Sequence, residues 1–244
     1  MLKKEYIHNM KTLYESLLDD EDEILKDTEH NIIDKLRNCF TQSSIKRNKL
    51  RYEDHILYID KTVIITICKD IPDFVHKVVL DDNIEEVVFV GELDHKTIEK
   101  IQINSSSISR NVGIYCKKVE GEVSDLNWNI DKLQINSDVK FKNCNFTTSE
   151  TKFGALVFGF GSLKSIDNLK GFTICNPKRN QILINCIGST SPALSKAMKS
   201  KKGKEELLNI VKDMLKYHKG YGYFGISRTK YISKVNDELI YKGK

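Results

Sequence analysis

The chain has no apolar run near the roughly 18 residues needed to span a bilayer, and its mean hydropathy of -0.40 matches that absence. Residues 1 to 10 are charged and contain no apolar core of a secretory signal. The reading therefore expects no membrane partner and a cytoplasmic protein. Metal-binding spacing is also missing: no C-x-x-C pair exists and the six histidines are scattered, so neither a metal nor a cofactor is expected. There is no G-x-S-x-G, no H-E-x-x-H and no cysteine beside a recognisable histidine partner, so no catalytic residue is assigned. Catalytic groups on separated loops leave no local motif, which keeps an enzyme of unrecognised type open.

Three features approach a chemical motif and fall short. The glycine-rich run from Gly154 to Ser165 resembles a phosphate loop, but Leu163 stands before Lys164 where glycine would let backbone amides close on phosphate. Tight turns explain it better. Asp54-His55 and Asp94-His95 pair an acid with a base, yet neighbours on a strand point to opposite faces. The acidic block Asp19 to Glu23 lacks the alternating spacing and central glycine of a calcium loop.

What the chain does contain is a core and a recurring motif. Its 244 residues with 40 % hydrophobic content can bury a core of ordinary size. Six cysteines (Cys39, Cys68, Cys116, Cys144, Cys175 and Cys186) read as reduced thiols, four of them ending strand-like runs as small hydrophobes. The motif appears at Asn83–Val90, Thr97–Ser105 and Asn129–Ser137, with a weaker copy at Ser165–Leu169. In the first three, an isoleucine and a charged pair lead into a short alternating run, as one strand per unit would be written.

The expected fold is mainly β with flanking helices. Its core would be an irregular leucine-rich-like or β-solenoid repeat capped by a C-terminal amphipathic helix, the alternative being α+β with a β-sandwich. Three segments follow: an acidic helical stretch over 1–40, a β-repeat core over 52–192, and a basic helix and hairpin over 193–244. Helices are expected within Met10–Glu23, as a short amphipathic helix on Leu13, Leu17 and Leu18 followed by a charged break, at Glu29–Phe40 and, with an apolar stripe from Leu207 to His218, at Lys204–Lys219. Tyr221 to Ile232 and Glu238 to Tyr241 read as two strands around Asn236-Asp237, and Lys96–Ile101 and Pro72–Lys77 as the only helical turns of the core.

Charge divides the chain. Residues 1 to 35 carry a net charge of -5 and residues 193 to 244 one of +8. The first helix either caps the core or docks on a partner, because so short a helix cannot hold itself in water. Leu13, Tyr14, Leu17, Leu18, Asp19 and Asp20 are the residues expected to bind a protein partner. At the other end Lys199, Lys201, Lys202, Tyr221, Tyr223, Arg228 and Lys230 interleave cations with aromatics, as a strand-tracking, base-stacking nucleic-acid surface needs.

The stretch Met10-Lys11-Thr12-Leu13-Tyr14-Glu15-Ser16-Leu17-Leu18-Asp19-Asp20-Glu21-Asp22 resembles the N-terminus of a loose set of uncharacterised proteins of gut Bacteroidales and their crAss-like phages, several of which continue into leucine-rich-like repeats. The chain lacks their regular Leu-x-x-Leu-x-Leu spacing. The resemblance implies a phage-associated setting, in host cytoplasm or virion, and transfers no activity and no catalytic residue. The expectation is a non-enzymatic interaction or assembly protein docking through its acidic helix, with a nucleic-acid-binding accessory factor as the alternative.

Overall fold

The computed structural model describes residues 30–41, 45–46, 49–103, 110–148, 153–159, 163–178, 181–186, 192–227, 229–235 and 237–243. The chain enters as a helix α1 (residues 30–37), whose Ile33 and Leu36 are buried, and continues into the hairpin β1 (Leu50–Glu53) and β2 (Ile56–Ile59). It then runs through β3 (Ile64–Ile67), β4 (Lys77–Leu80), β5 (Glu86–Asp94), α2 (His95–Glu99), β6 (Ile101–Gln102), β7 (Asn111–Glu120) and β8 (Val123–Ser124). Next come β9 (Asn127–Asn129), β10 (Lys132–Ile135), β11 (Phe141–Lys142), β12 (Cys144–Thr147) and β13 (Phe153–Phe158). A 3-10 helix (Ile166–Leu169), β14 (Phe172–Cys175) and β15 (Gln181–Asn185) follow. The end of the chain supplies α3 (Pro192–Ala197), α4 (Lys201–Met214), β16 (Gly222–Gly225), β17 (Tyr231–Val235) and β18 (Glu238–Lys242).

The protein is mainly β with a few helices. A nine-stranded sheet runs in the order β3-β5-β7-β10-β13-β15-β16-β17-β18. Neighbours are parallel as far as β16, and β17 and β18 are antiparallel. The strands between them in sequence go elsewhere: β1-β2-β4-β6 form one sheet and β9-β12-β14 another. The Asn129 amide donates to the Ile103 carbonyl at 2.8 Å and ties those two sheets together. A third side is shorter and irregular. There the Glu99 carboxylate at the end of α2 accepts from the Ser124 amide at 2.6 Å, β8 pairs with β11, and Asn168 of the 3-10 helix donates to the Val139 carbonyl at 3.2 Å.

Alternation sets which side chains meet. On the nine-stranded sheet one inward residue per strand lies in register: Ile65, Val87, Val112, Leu133, Leu156, Ile184 and Phe224. All are at most 1 % exposed. Successive side chains on a strand face opposite ways, so this row fixes the next row outward and a one-residue slip would invert both. Across the core an aromatic column joins the sheets: Phe89 stacks on Trp128 at 6.3 Å, Trp128 meets Phe146 at 5.9 Å, and Phe146 meets Phe172 at 5.7 Å.

Several elements differ from expectation. Residues 72–76 form a turn rather than helix, held by the Val75 amide on the Pro72 carbonyl. The last helix spans Lys201–Met214, starting earlier because Ser200 caps it by accepting from the Gly203 amide at 3.0 Å, and ending earlier because the Lys234 ammonium takes the Leu215 carbonyl at 2.9 Å. The tail holds three strands, since Ser227 folds Tyr221–Ile232 back on itself by accepting from the Lys230 amide at 3.1 Å. Among the described residues no helix is long and apolar enough to cross a membrane.

Candidate functional site

The third side ends in a cavity of about 470 Å³ bounded by the 3-10 helix, α3 and α4. It is built from local rules. Ser165 caps the 3-10 helix and Asn168 returns the bond to the Ser165 amide at 2.9 Å, a reciprocal box that fixes the turn. Asn168 also donates to Asp138 at 2.8 Å, and Lys164 reaches the same carboxylate at 3.0 Å. Burial alone would raise the Asp138 pKa, but these hydrogen bonds outweigh it and hold the carboxyl below its ordinary range. The back wall is tight: a Cβ at Gly203 would stand 2.3 Å from the Ala197 carbonyl oxygen, so α3 and α4 meet backbone to backbone there.

The lining is basic over an apolar floor. Lys164, Lys196 and Lys202 come from three elements, with Ile166, Ala193 and Ala197 beneath them. Lys196, Lys199, Lys201 and Lys202 are exposed, so the positive charge extends over the rim. The one acid of the lining, Glu206, is engaged by Lys170 at 3.2 Å. The first turn of α4 adds the positive end of its dipole. Chemically, the arrangement can hold carboxylates or phosphates by charge, with apolar contact below. The Ser165 hydroxyl donates to the Asp167 carboxylate at 3.1 Å, but Lys170 holds that carboxylate at 2.7 Å and Ser165 Oγ serves as the helix cap.

The residues expected to act fall into three groups. Leu13, Tyr14, Leu17, Leu18, Asp19 and Asp20, the expected partner-binding set, lie outside the described residues, as does Arg228. Lys199, Lys201 and Lys202 gather at the start of α4 beside the cavity. Tyr221, Tyr223 and Lys230 do not join them as one groove. Tyr223 points to the face opposite buried Phe224, away from α4, and stacks on Tyr231 at 4.9 Å. Tyr221 follows the other end of α4, where its carbonyl lies 3.2 Å from the His218 ring. Lys230 flanks Gly243 together with the Tyr241 hydroxyl, and Lys204 sits 5.8 Å from that ring.

The acid and base pairs each have structural partners. Asp54 and His55 form the two-residue β1–β2 turn with φ of 48° and 63°, and His55 stacks on His76 at 4.6 Å. Asp94 caps α2 by accepting from the Lys96 amide at 2.9 Å, and the His95 ring sits 3.0 Å from the Glu120 carbonyl; contrary to expectation His95 Nδ1 also lies 3.0 Å from the Asp94 carboxylate, because the strand ends in a helix cap at that pair. All six cysteines are free thiols; burial pushes Cys39 and Cys116 up to about 11. Among the described residues no three His, Cys, Asp or Glu side chains converge as metal ligands. Lys196 belongs to the basic stretch singled out in the sequence, whereas Lys164 was set aside with the glycine-rich run and missed as a site residue. The available signal was Ser165-x-x-Asn168, a cap that places Lys164 on a fixed corner. No protein-family model, curated protein or solved structure matches the chain.

Proposed function

We propose that the chain is a non-enzymatic interaction protein, built as an irregular β-solenoid of leucine-rich-like coils, that docks on a protein partner through its acidic N-terminal segment. The observation that supports this reading is the inward row from Ile65 to Phe224, which receives one residue from each return of the chain. From Ile65 to Ile184 the returns are 21 to 28 residues, within the period of leucine-rich units, and the last, to Phe224, is 40 because it carries α3 and α4. A sandwich would pass between neighbouring strands largely by hairpins and Greek-key connections, whereas here the hairpins lie at the two ends, in β1–β2 and β16–β18. Stacked coils present broad rigid surfaces, and binding is what such surfaces do.

Leu13, Tyr14, Leu17 and Leu18 supply the apolar anchor and Asp19 and Asp20 the charge. The resemblance at Met10–Asp22 adds a phage-associated setting, in which a shared terminal peptide suits sorting or assembly. The test is capture from a nuclease-treated host lysate by the full chain and by a Leu13→Asp, Leu17→Asp variant, which leaves buried Ile33, Leu36 and Phe40 in place. Partners recovered by the native chain and lost by the variant carry the reading. Equal recovery by both, or recovery of nothing beyond nucleic acid in a parallel capture without nuclease, overturns it.

A further inference from the structure

The first described residues of the chain and the basic cavity lie towards opposite ends of the parallel strands. Residues 39–41 lie along the free edge of β3, where Phe40 bridges Ile67 and the Cys68 amide donates to the Cys39 carbonyl at 2.8 Å. The cavity lies with α3 and α4, which belong with β16 at the other end of the parallel strands. Six strand spacings separate β3 from β16, about 29 Å at about 4.8 Å each. Asp19 and Glu23 precede His30 by eleven and seven residues, about 37 and 24 Å when fully extended. Reaching the cavity of its own chain would draw that tether out well beyond its coil length of about 15–18 Å, a cost that docking on a second copy does not carry.

The two features complement each other. Asp19, Asp20, Glu21, Asp22 and Glu23 are five consecutive carboxylates preceded by Leu17 and Leu18. The cavity offers Lys196 and Lys202 at its mouth over a floor of Ile166, Ala193 and Ala197. Carboxylates meeting lysines gain attraction and speed of encounter, and leucines meeting the floor gain the burial that exposed ion pairs lack.

We infer that the acidic run Asp19–Glu23 of one copy docks in the lysine-lined cavity between the 3-10 helix and α3–α4 of a second copy, head to tail. This rests on the interaction reading above and names the partner as the chain itself. A contact between unlike patches leaves one of each unused in a pair, so association continues into rings or open chains rather than stopping at two.

The experiment is light scattering on nuclease-treated full chain across a concentration series. At about 50 mM salt the mass rises above the 28.1 kDa monomer, and at about 500 mM it returns to it as the charges are screened. A head variant (Asp19→Lys, Asp20→Lys, Asp22→Lys) and a tail variant (Lys196→Glu, Lys202→Glu) each remain monomeric, with association weakened at least tenfold. Mixed in equal amounts the two associate again, because reversed head meets reversed tail, and this recovery also shows that both are folded. Native chain that stays monomeric throughout overturns the inference, as does a mixture that stays monomeric. Were Leu13→Asp, Leu17→Asp to lose a lysate partner while the native chain never self-associates, the interaction reading would stand and the second copy would fall.

Discussion

Among the described residues Arg110, Lys100 and Lys234 turn inward, and each is aimed at backbone carbonyls. Arg110 is 1 % exposed and donates to the Ile84 carbonyl at 2.9 Å and the Asp81 carbonyl at 3.0 Å. Lys100 serves Ile71 at 2.7 Å and Pro72 at 3.0 Å, and buried Lys234 takes the Leu215 and His218 carbonyls beyond α4. These are corners where the chain leaves one sheet and its carbonyls have no neighbouring strand, so a long cation supplies the missing donor. None of this was legible beforehand, because a charge count carries no direction. Arg110→Met keeps the apolar stem and removes both bonds; urea unfolding should show a loss of about 2–4 kcal/mol, and a change below about 0.5 kcal/mol would refute the fastening role. Asp138 gives a pH signature. Its carboxyl is held low in the folded state, so its contribution is present above the ordinary carboxylate pKa near 4 and is lost as pH falls through the depressed folded value. Asp138→Asn should therefore be the less stable protein at neutral pH and lose less on acidification, measured as thermal midpoints from about pH 6 to pH 3.

At the level of elements, the recurring motif was legible and its meaning only partly so. Asn83–Val90 and Asn129–Ser137 lead into β5 and β10 of the nine-stranded sheet, whereas Thr97–Ser105 leads into β6 and Ser165–Leu169 precedes β14 on the other side. The same local task recurs on both sides: an isoleucine turns in (Ile84, Ile98 and Ile130, with the matching Ile166 half-buried), and a strand begins a few residues later. Periodicity sees the task and cannot tell which corner performs it. Glycine was legible as punctuation but not as contact. Gly171 adopts φ +83°, and a Cβ there would stand 1.7 Å from the Phe141 carbonyl oxygen, so β11 and the entry to β14 touch at that point. Left-handed geometry alone costs alanine about 1–2 kcal/mol, and the backbone clash adds to it. Gly171→Ala should consequently lower the melting midpoint by more than about 5 °C, while the same change at a surface site leaves it unmoved.

Over the whole molecule, both ends of the parallel strands are closed by other structure: α1 and residues 39–41 at β3, and α4 with the antiparallel β17 and β18 beyond β16. Open strand edges invite pairing with other chains, and closure of this kind is how a stack avoids it. The final edge, β18, carries Glu238 and Lys242. A mainly β protein with flanking helices and a basic helical tail could be read from the change of period near Arg51 and again near Ser195. The cavity could not, since it depends on how three separate elements meet. The Leu207→Asp change, which places a charge on the fully buried stripe of α4, should loosen that end first. In hydrogen exchange, amides of β15 and β16 should lose protection while those of β5 and β7 keep it; uniform loss across the sheet would mean that the stack melts as one unit.

On the coil reading proposed above, the inward row also decides how the molecule can change in length. A duplication spanning one whole return would add a rung of about 4.8 Å and leave both ends as they are. Removing half a return would send every later inward side chain to the wrong sheet. Size on that reading is counted in rungs, and natural variants of the chain should differ by whole steps in the middle while their end pieces stay the same.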